Sequence, residues 1–358
     1  MKNTNKVLFL VRELSGYFLG SIDAALEQFP DLEIKIVYWP VNDEAPFELN
    51  SDIERLEMIP YRTFGNKEMH SLLNEWNPHL WVVAGWSDRR YMKWVKQYDH
   101  YFKVIAFDTQ WKESFKFKVG VLWLYYKSIR YFNGVWVPGV RQRKLAEKLF
   151  FKRDYIKLGY YVAQEMQSHR KDPRVIGDDE IFKIVFVNRL VKQKGFPDAL
   201  IYLNRYIERT RSNWKVYVIG TGKLASSCPK SEWIEYVGFV QPEHLAQQLS
   251  DMDVYVLSSN YEPWGVSVHE AAMCGLPMVL SSAVGAGDTF LEPGRNGFEF
   301  HVNDYKGMVR YIKRIYRMGA EARKDWGLCS EEFARRVNNE QWGRNLMDWV
   351  KEGKKCAE

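Results

Sequence analysis

Cysteine is scarce and unpatterned in this chain of 358 residues: Cys228, Cys274, Cys329 and Cys356 stand far apart, with no Cys-x-x-Cys. That argues against a disulfide framework or a cysteine zinc site, and it fits a reducing compartment. Long apolar runs are missing as well. Nothing approaches the ~20 consecutive apolar residues a helix needs to cross a bilayer. Val7–Val11 is too short for the core of a signal peptide and is followed by Arg12. The expectation is a cytoplasmic protein, soluble or peripheral on the inner face of the cell membrane. Net charge is modest, +6 from 51 basic and 45 acidic residues, and no nucleic-acid-binding module is legible. Nucleic acid is therefore not an expected partner.

Apolar and aromatic residues are plentiful. They make up 46% of the chain, with 14 tryptophans, enough for two cores at a length that suggests two domains. In the first half, Val7–Val11, Glu33–Tyr38, Leu80–Ala84, Val104–Phe107 and Gly134–Val137 read as strands. Ile22–Phe29, Lys67–Trp76, Arg89–Tyr98 and Val119–Tyr131 read as the helices between them. A polar stretch with Lys171-Asp172-Pro173 and Gly177-Asp178-Asp179 reads as a linker. The alternation then resumes. Phe182–Val187, Lys215–Ile219, Trp233–Val237, Val254–Leu257 and Met278–Ser281 are expected strands. Asp198–Arg209, Pro242–Leu249, Val266–Cys274 and Tyr305–Tyr316 are expected helices. The predicted class is α/β: two doubly wound parallel-sheet domains, 1–163 and 181–338, joined by a linker at 164–180. Residues 339–358 form a last helix with Trp342, Leu346 and Trp349 on one face, which packs on either domain.

Ligands of such sheets bind beyond the carboxyl ends of the strands. One such end carries the run Ser258 to Val279, with Glu262 in a strand-to-helix loop and Glu270 inside the helix. The helix start offers free N–H groups to an anion. Flanking carboxylates make sense there if they bind hydroxyls, and a nucleoside diphosphate sugar has that layout. Glu262-Pro263-x-Gly265, Glu270-Ala271 and Gly275-x-Pro277 together resemble the Glu-x7-Glu signature of GT-B-fold glycosyltransferases, especially the retaining ones of family 4. Asn188-Arg189-Leu190 and Lys194-Gly195 resemble a second family segment, with Asn188 in place of the usual Gly.

The resemblance implies two Rossmann-like domains facing a central cleft, the first holding the acceptor and the second the donor. It implies a retaining, metal-independent hexosyltransferase-type enzyme with no cofactor, UDP-sugar being the favoured donor. The acceptor would be a glycan or lipid-linked hydroxyl in surface polysaccharide or glycoconjugate synthesis. Arg189 and Lys194 would bind the diphosphate, with Lys192 as competitor for the same role, since cations stabilise charge developing on the leaving phosphate. Glu262 would meet the transferred sugar and Glu270 the ribose. Backbone at Gly265 and Val266 would meet phosphate, and backbone at Gly220 and Val240 the nucleotide. In the first domain, Gly16 (with Gly20 a weaker candidate) matches a glycine loop near the donor phosphates. Asp108 takes the place of a family His; it orients a hydroxyl or takes the acceptor proton, or it merely caps a helix or turn. His269 has no expected catalytic role. Asp251-Met252-Asp253 is not read as a metal site, because Asp253 opens a buried strand. A GT-B subunit that binds nucleotide or glycan without catalysis, and another GT-B enzyme such as a nucleotide-sugar epimerase, are the alternatives.

Charge is unevenly placed. Lys112 to Lys157 holds 12 basic residues against Glu113, Glu147 and Asp154, interleaved with aromatics such as Trp123 and Tyr126. An anionic membrane surface and an ordinary solvated face are both open readings of this stretch.

Overall fold

A computed structural model describes residues 4–12, 14–39, 54–164 and 180–357. The chain divides into two compact units, Met1–Val162 with Val337–Glu358, and Ala163–Arg336. The sequence-read linker at 164–180 lies almost wholly outside the described residues.

The first unit opens with β1 (Asn5–Val11), α1 (Gly16–Gln28), β2 (Leu32–Tyr38) and β3 (Leu56–Pro60). It continues through α2 (Asn66–Trp76), β4 (Leu80–Ala84), α3 (Arg89–Gln97) and β5 (Lys103–Ala106). Then come α4 (Phe115–Lys127), β6 (Gly134–Trp136), α5 (Val140–Lys148) and β7 (Ile156–Lys157). The second unit holds β8 (Phe182–Val187), α6 (Asp198–Thr210), β9 (Trp214–Ile219), β10 (Ile234–Gly238) and α7 (Pro242–Leu249). It goes on with β11 (Val254–Leu257), α8 (Val266–Met273), β12 (Met278–Ser281), α9 (Gly287–Phe290) and β13 (Gly297–Phe300). Helices α10 (Tyr305–Tyr316) and α11 (Ala320–Ala334) follow, and α12 (Asn339–Ala357) belongs to the first unit.

Both sheets are parallel throughout. Their orders are β3-β2-β1-β4-β5-β6-β7 and β10-β9-β8-β11-β12-β13. In each, the order reverses direction beside the first strand, which opens a crevice at the carboxyl edge. Strands such as β11, Val-Tyr-Val-Leu, are buried on both faces, as a parallel sheet covered by helices requires.

Helix ends follow local chemistry. Asp88 caps α3 through the Tyr91 N–H at 2.7 Å, and Asp304 caps α10 through the Gly307 N–H at 2.8 Å.

Two features differ from the sequence reading. Helix α1 begins at Gly16, six residues before the expected start. Gly16 and Gly20 therefore lie in a helix rather than in a glycine loop. Burial of Phe18, Leu19, Ile22, Ala25 and Leu26 on one face outweighs the small helix cost of glycine. The pattern also gave no warning of β3, α5, β7, α9, β13 and α11. β7 has only two residues, too few for any periodicity, and β3 ends on Pro60 at a sheet edge.

Helix α12 packs into the first unit's core with Trp342, Leu346, Trp349 and Val350 all buried. Glycines permit the close approach. A Cβ on Gly134 would strike the Trp349 ring, and one on Gly353 would strike the carbonyl of His79.

Candidate functional site

The second unit gathers three loops at the carboxyl edge of its sheet. The loop after β8 runs from Asn188 through a 3-10 turn at Lys192–Lys194 to Gly195. Gly195 takes φ 80°, and a Cβ there would collide with the carbonyl of Ser258. Only glycine supports that combination of backbone and contact.

Hydrogen bonds bind this loop to the one after β11. The carbonyl of Gln193 accepts from the Asn260 N–H at 2.8 Å, and Ser258 Oγ donates to the Lys194 carbonyl at 3.1 Å. The loop after β9 is tied on as well. The Leu190 N–H donates to the Thr221 carbonyl at 2.9 Å, and a Cβ on Gly220 would strike the Asn188 carbonyl. The Asn188 amide is buried without a hydrogen-bond partner on either atom.

This framework brings Lys194 and Glu262 together. The Lys194 ammonium pairs directly with the Glu262 carboxylate, with only 13% and 8% of the side chains exposed. Ser259 Oγ donates to the same carboxylate oxygen at 3.2 Å. Glu262 is also fixed through its backbone, whose carbonyl accepts from the Gly285 N–H at 3.0 Å. Lys192 is exposed, and so is Arg189. Val240 lies in the loop that follows β10.

Helix α8 starts at Val266, after Gly265 at φ 101°. Its first N–H groups lack intrahelical partners by construction and carry the positive end of the helix dipole. Beneath them Tyr255 Oη and Ser267 Oγ share a hydrogen bond of 2.8 Å. Burial raises the Tyr255 phenol pKa, and the nearby Glu262 and Glu270 carboxylates raise it further. One tyrosine thus lies within electrostatic reach of both motif carboxylates. Its sequence context, a buried apolar strand, carried no hint of this.

Part of the Glu270 surface reaches solvent, yet the surrounding protein pushes its carboxyl from the ordinary 4.5 up to about 7. A raised carboxyl means that the folded state holds its proton more tightly than the unfolded state. Stability therefore falls as pH rises from about 4.5 to about 7. Glu270→Gln is expected to be more stable than the parent at pH 8, by at most about 3 kcal/mol. The gap should close below pH 4.5. Urea denaturation of both proteins across this range checks it, and a gap independent of pH would refute it.

His269 is structural. Its Nδ1 accepts from the Ala163 N–H at 3.1 Å, its Nε2 donates to the Ala334 carbonyl at 3.0 Å, and Phe290 stacks on the ring at 4.5 Å. Burial pushes its pKa down to about 4. Asp253 accepts from the Lys183 N–H at 2.8 Å, and the Lys183 ammonium pairs with Asp251. Among the described residues no group of three or more His, Cys, Asp or Glu side chains could hold a metal ion.

In the first unit, Asp108 lies just past β5. It lines a cavity of about 440 Å³ with Arg12, Ser15, Ala84, Tyr160 and Tyr161. Asp108 does not cap α4; Ser114 does. The Asp108 carbonyl accepts from Gln142 Nε2 at 3.0 Å. Gly16 opens α1 beside this cavity, between the lining residues Ser15 and Tyr17.

Residues 168–331 match the family model described as Glycosyl transferases group 1. The chain is similar to glycogen synthase of Mycobacterium tuberculosis, 28% identical over 149 residues, covering 40% of this chain and 36% of that protein. It is similar to alpha-monoglucosyldiacylglycerol synthase of Acholeplasma laidlawii, 29% identical over 164 residues, 43% of this chain and 39% of that one. The matches thus span little more than a third of these curated relatives.

Among solved structures, sucrose-phosphate synthase from Thermosynechococcus elongatus superposes with a TM-score of 0.74 at 14% identity, over 99% of this chain and 100% of that one. Anabaena HepE in complex with UDP and glucose gives 0.69 at 14% identity, over 97% and 100%. The fold is the GT-B fold, and within it residues 168–331 carry the similarity to group 1 glycosyl transferases.

Proposed function

We propose that the protein moves a sugar from a nucleoside diphosphate sugar to a hydroxyl of a glycan or lipid-linked acceptor, with retained anomeric configuration and without a metal ion. The observation that carries this reading is the enclosed Lys194–Glu262 pair at the carboxyl edge of the second sheet. A cation held in place by a carboxylate needs little reorganisation when negative charge develops beside it. In the proposed reaction the sugar–phosphate C–O bond breaks and its electron pair leaves with the diphosphate. A new C–O bond forms to the acceptor oxygen, whose proton passes to a phosphate oxygen on the same face. Lys194 and Arg189 stabilise the diphosphate, together with the N–H groups at the start of α8. Glu262 takes sugar hydroxyls and Glu270 takes the ribose. Backbone at Gly220 and Val240 lies along the nucleotide. Asp108 serves the acceptor side, and Gly16 serves the donor phosphates. UDP is the favoured nucleotide, supported by the structural relative described with UDP and glucose. We place the reaction in the cytoplasm.

Thermal shift against ADP, GDP, UDP and TDP tests the donor assignment, because ligand bound only to the folded state raises its melting temperature. One diphosphate should stand out, and its sugar conjugate should slowly release free sugar in a Glu262-dependent way. Proton NMR of the transfer product reads the anomeric configuration. Donor binding without turnover over a broad acceptor panel would favour a non-catalytic subunit instead. If no nucleoside diphosphate binds, the proposal fails.

A further inference from the structure

Helix α4 is apolar on two opposite sides. At 100° per residue, Phe117, Val121 and Leu124 share one line. That line faces the core, with Val121 buried and the other two partly buried. Phe115, Val119, Leu122 and Tyr126 share a second line about 200° away. They are 80%, 53%, 47% and 60% exposed. Trp123, at the edge of this ridge, is 60% exposed. Five of the twelve exposed large apolar side chains among the described residues thus belong to one helix.

The same spacing puts Lys116 and Lys127 along one flank of the ridge and Lys118 along the other. All three are exposed, and the Lys127 ammonium stands 4.1 Å from the centre of the Trp123 ring. Lys93 and Lys96 of α3 line a groove of about 810 Å³ together with Lys116 and Lys127. Two acids lie nearby. Asp88 is occupied with the Tyr91 N–H and Trp39 Nε1, and Glu113 pairs with Lys118 at 3.1 Å and Lys144 at 3.8 Å.

We propose that this face of α4 docks the protein on a bilayer surface rich in anionic lipid. An apolar ridge with lysines on both flanks matches the boundary between acyl chains and negative headgroups. The ridge enters the interface while lysine stems lie along it and ammoniums reach phosphate. A second copy of the chain fits poorly. A twofold contact through this ridge would bring like-charged lysines together. The docking rests on α4 and its neighbours alone and does not require the transfer reaction.

Flotation of the full chain with vesicles tests it. Binding is expected to vesicles of phosphatidylglycerol and phosphatidylcholine in equal parts, weakening with added salt. Little binding is expected to phosphatidylcholine alone. L122S/W123S should abolish binding. K116A/K127A, which changes only exposed side chains, should lower partitioning by about thirtyfold. Circular dichroism and melting curves confirm that each variant is folded. The proposal is overturned if the folded parent ignores the anionic vesicles or if both variants bind like the parent. It is also overturned if the parent forms a dimer that L122S/W123S dissolves while vesicle binding is absent throughout.

Discussion

Lys194→Ala is expected to lower kcat by about a hundredfold to a thousandfold, the usual cost of losing a preplaced charge-stabilising group. KM for the donor should change far less, because the interaction grows as charge moves onto the departing phosphate. The position of this ammonium is unusually well determined. Its backbone is locked by the Gly195 turn beneath the Ser258 carbonyl, and its tip is held by Glu262. A flexible surface lysine would spend part of its binding energy on ordering.

The same substitution strips a mostly buried carboxylate of its partner, a change that costs about 3–5 kcal/mol when burial is complete. Here both side chains keep some exposure, so the penalty is smaller, and kinetics must be read well below the melting temperature. K194A/E262A then separates the two effects. If the stability loss comes from the carboxylate left without its cation, the double variant recovers part of it while activity stays low. A fall in kcat of less than tenfold for Lys194→Ala would remove the central role assigned to this residue.

Trp342→Ala is expected to destabilise the first unit by about 3–5 kcal/mol, in the range for truncating a buried tryptophan. Its ring is 1% exposed and lies 4.8 Å from Trp136, while its Nε1 donates to the Tyr160 carbonyl at 3.0 Å. The substitution opens a cavity between β1, α1 and α12 and leaves a carbonyl without its donor. The chain has two units with separate cores, so calorimetry can resolve two transitions. Only the one belonging to the first unit should move down in temperature. A shift corresponding to less than about 1 kcal/mol, the centre of the range for ordinary point substitutions, would mean that α12 is dispensable for that core.

Much of the loop cluster at the carboxyl edge of the second sheet is legible in the sequence because its signals are local. Glu262, Gly265 and Glu270 lie in one short run, and glycine at 195, 220 and 265 is forced by positive φ or by a neighbouring backbone. Tyr255 escaped notice because a tyrosine in an apolar strand reads as core. The early start of α1 escaped because two glycines outweighed, on paper, a buried face that only packing supplies. Asp108 was open between cap and site; its place beside the cavity follows from the β5 end, and helix capping falls to Ser114.

The order of residues by itself determined two successive strand–helix series and the spacing of the motif carboxylates. Continuous apolar runs suit strands covered on both faces, a 3.6-residue period suits helices, and both are written along the chain. Only tertiary structure decided which of Lys192 and Lys194, two residues apart and chemically identical, pairs with Glu262, because a single 3-10 turn aims one at that carboxylate and leaves the other exposed. Only tertiary structure decided, too, which apolar line of α4 finds a sheet and which stays uncovered. A helical period marks both lines, but contact belongs to the neighbours.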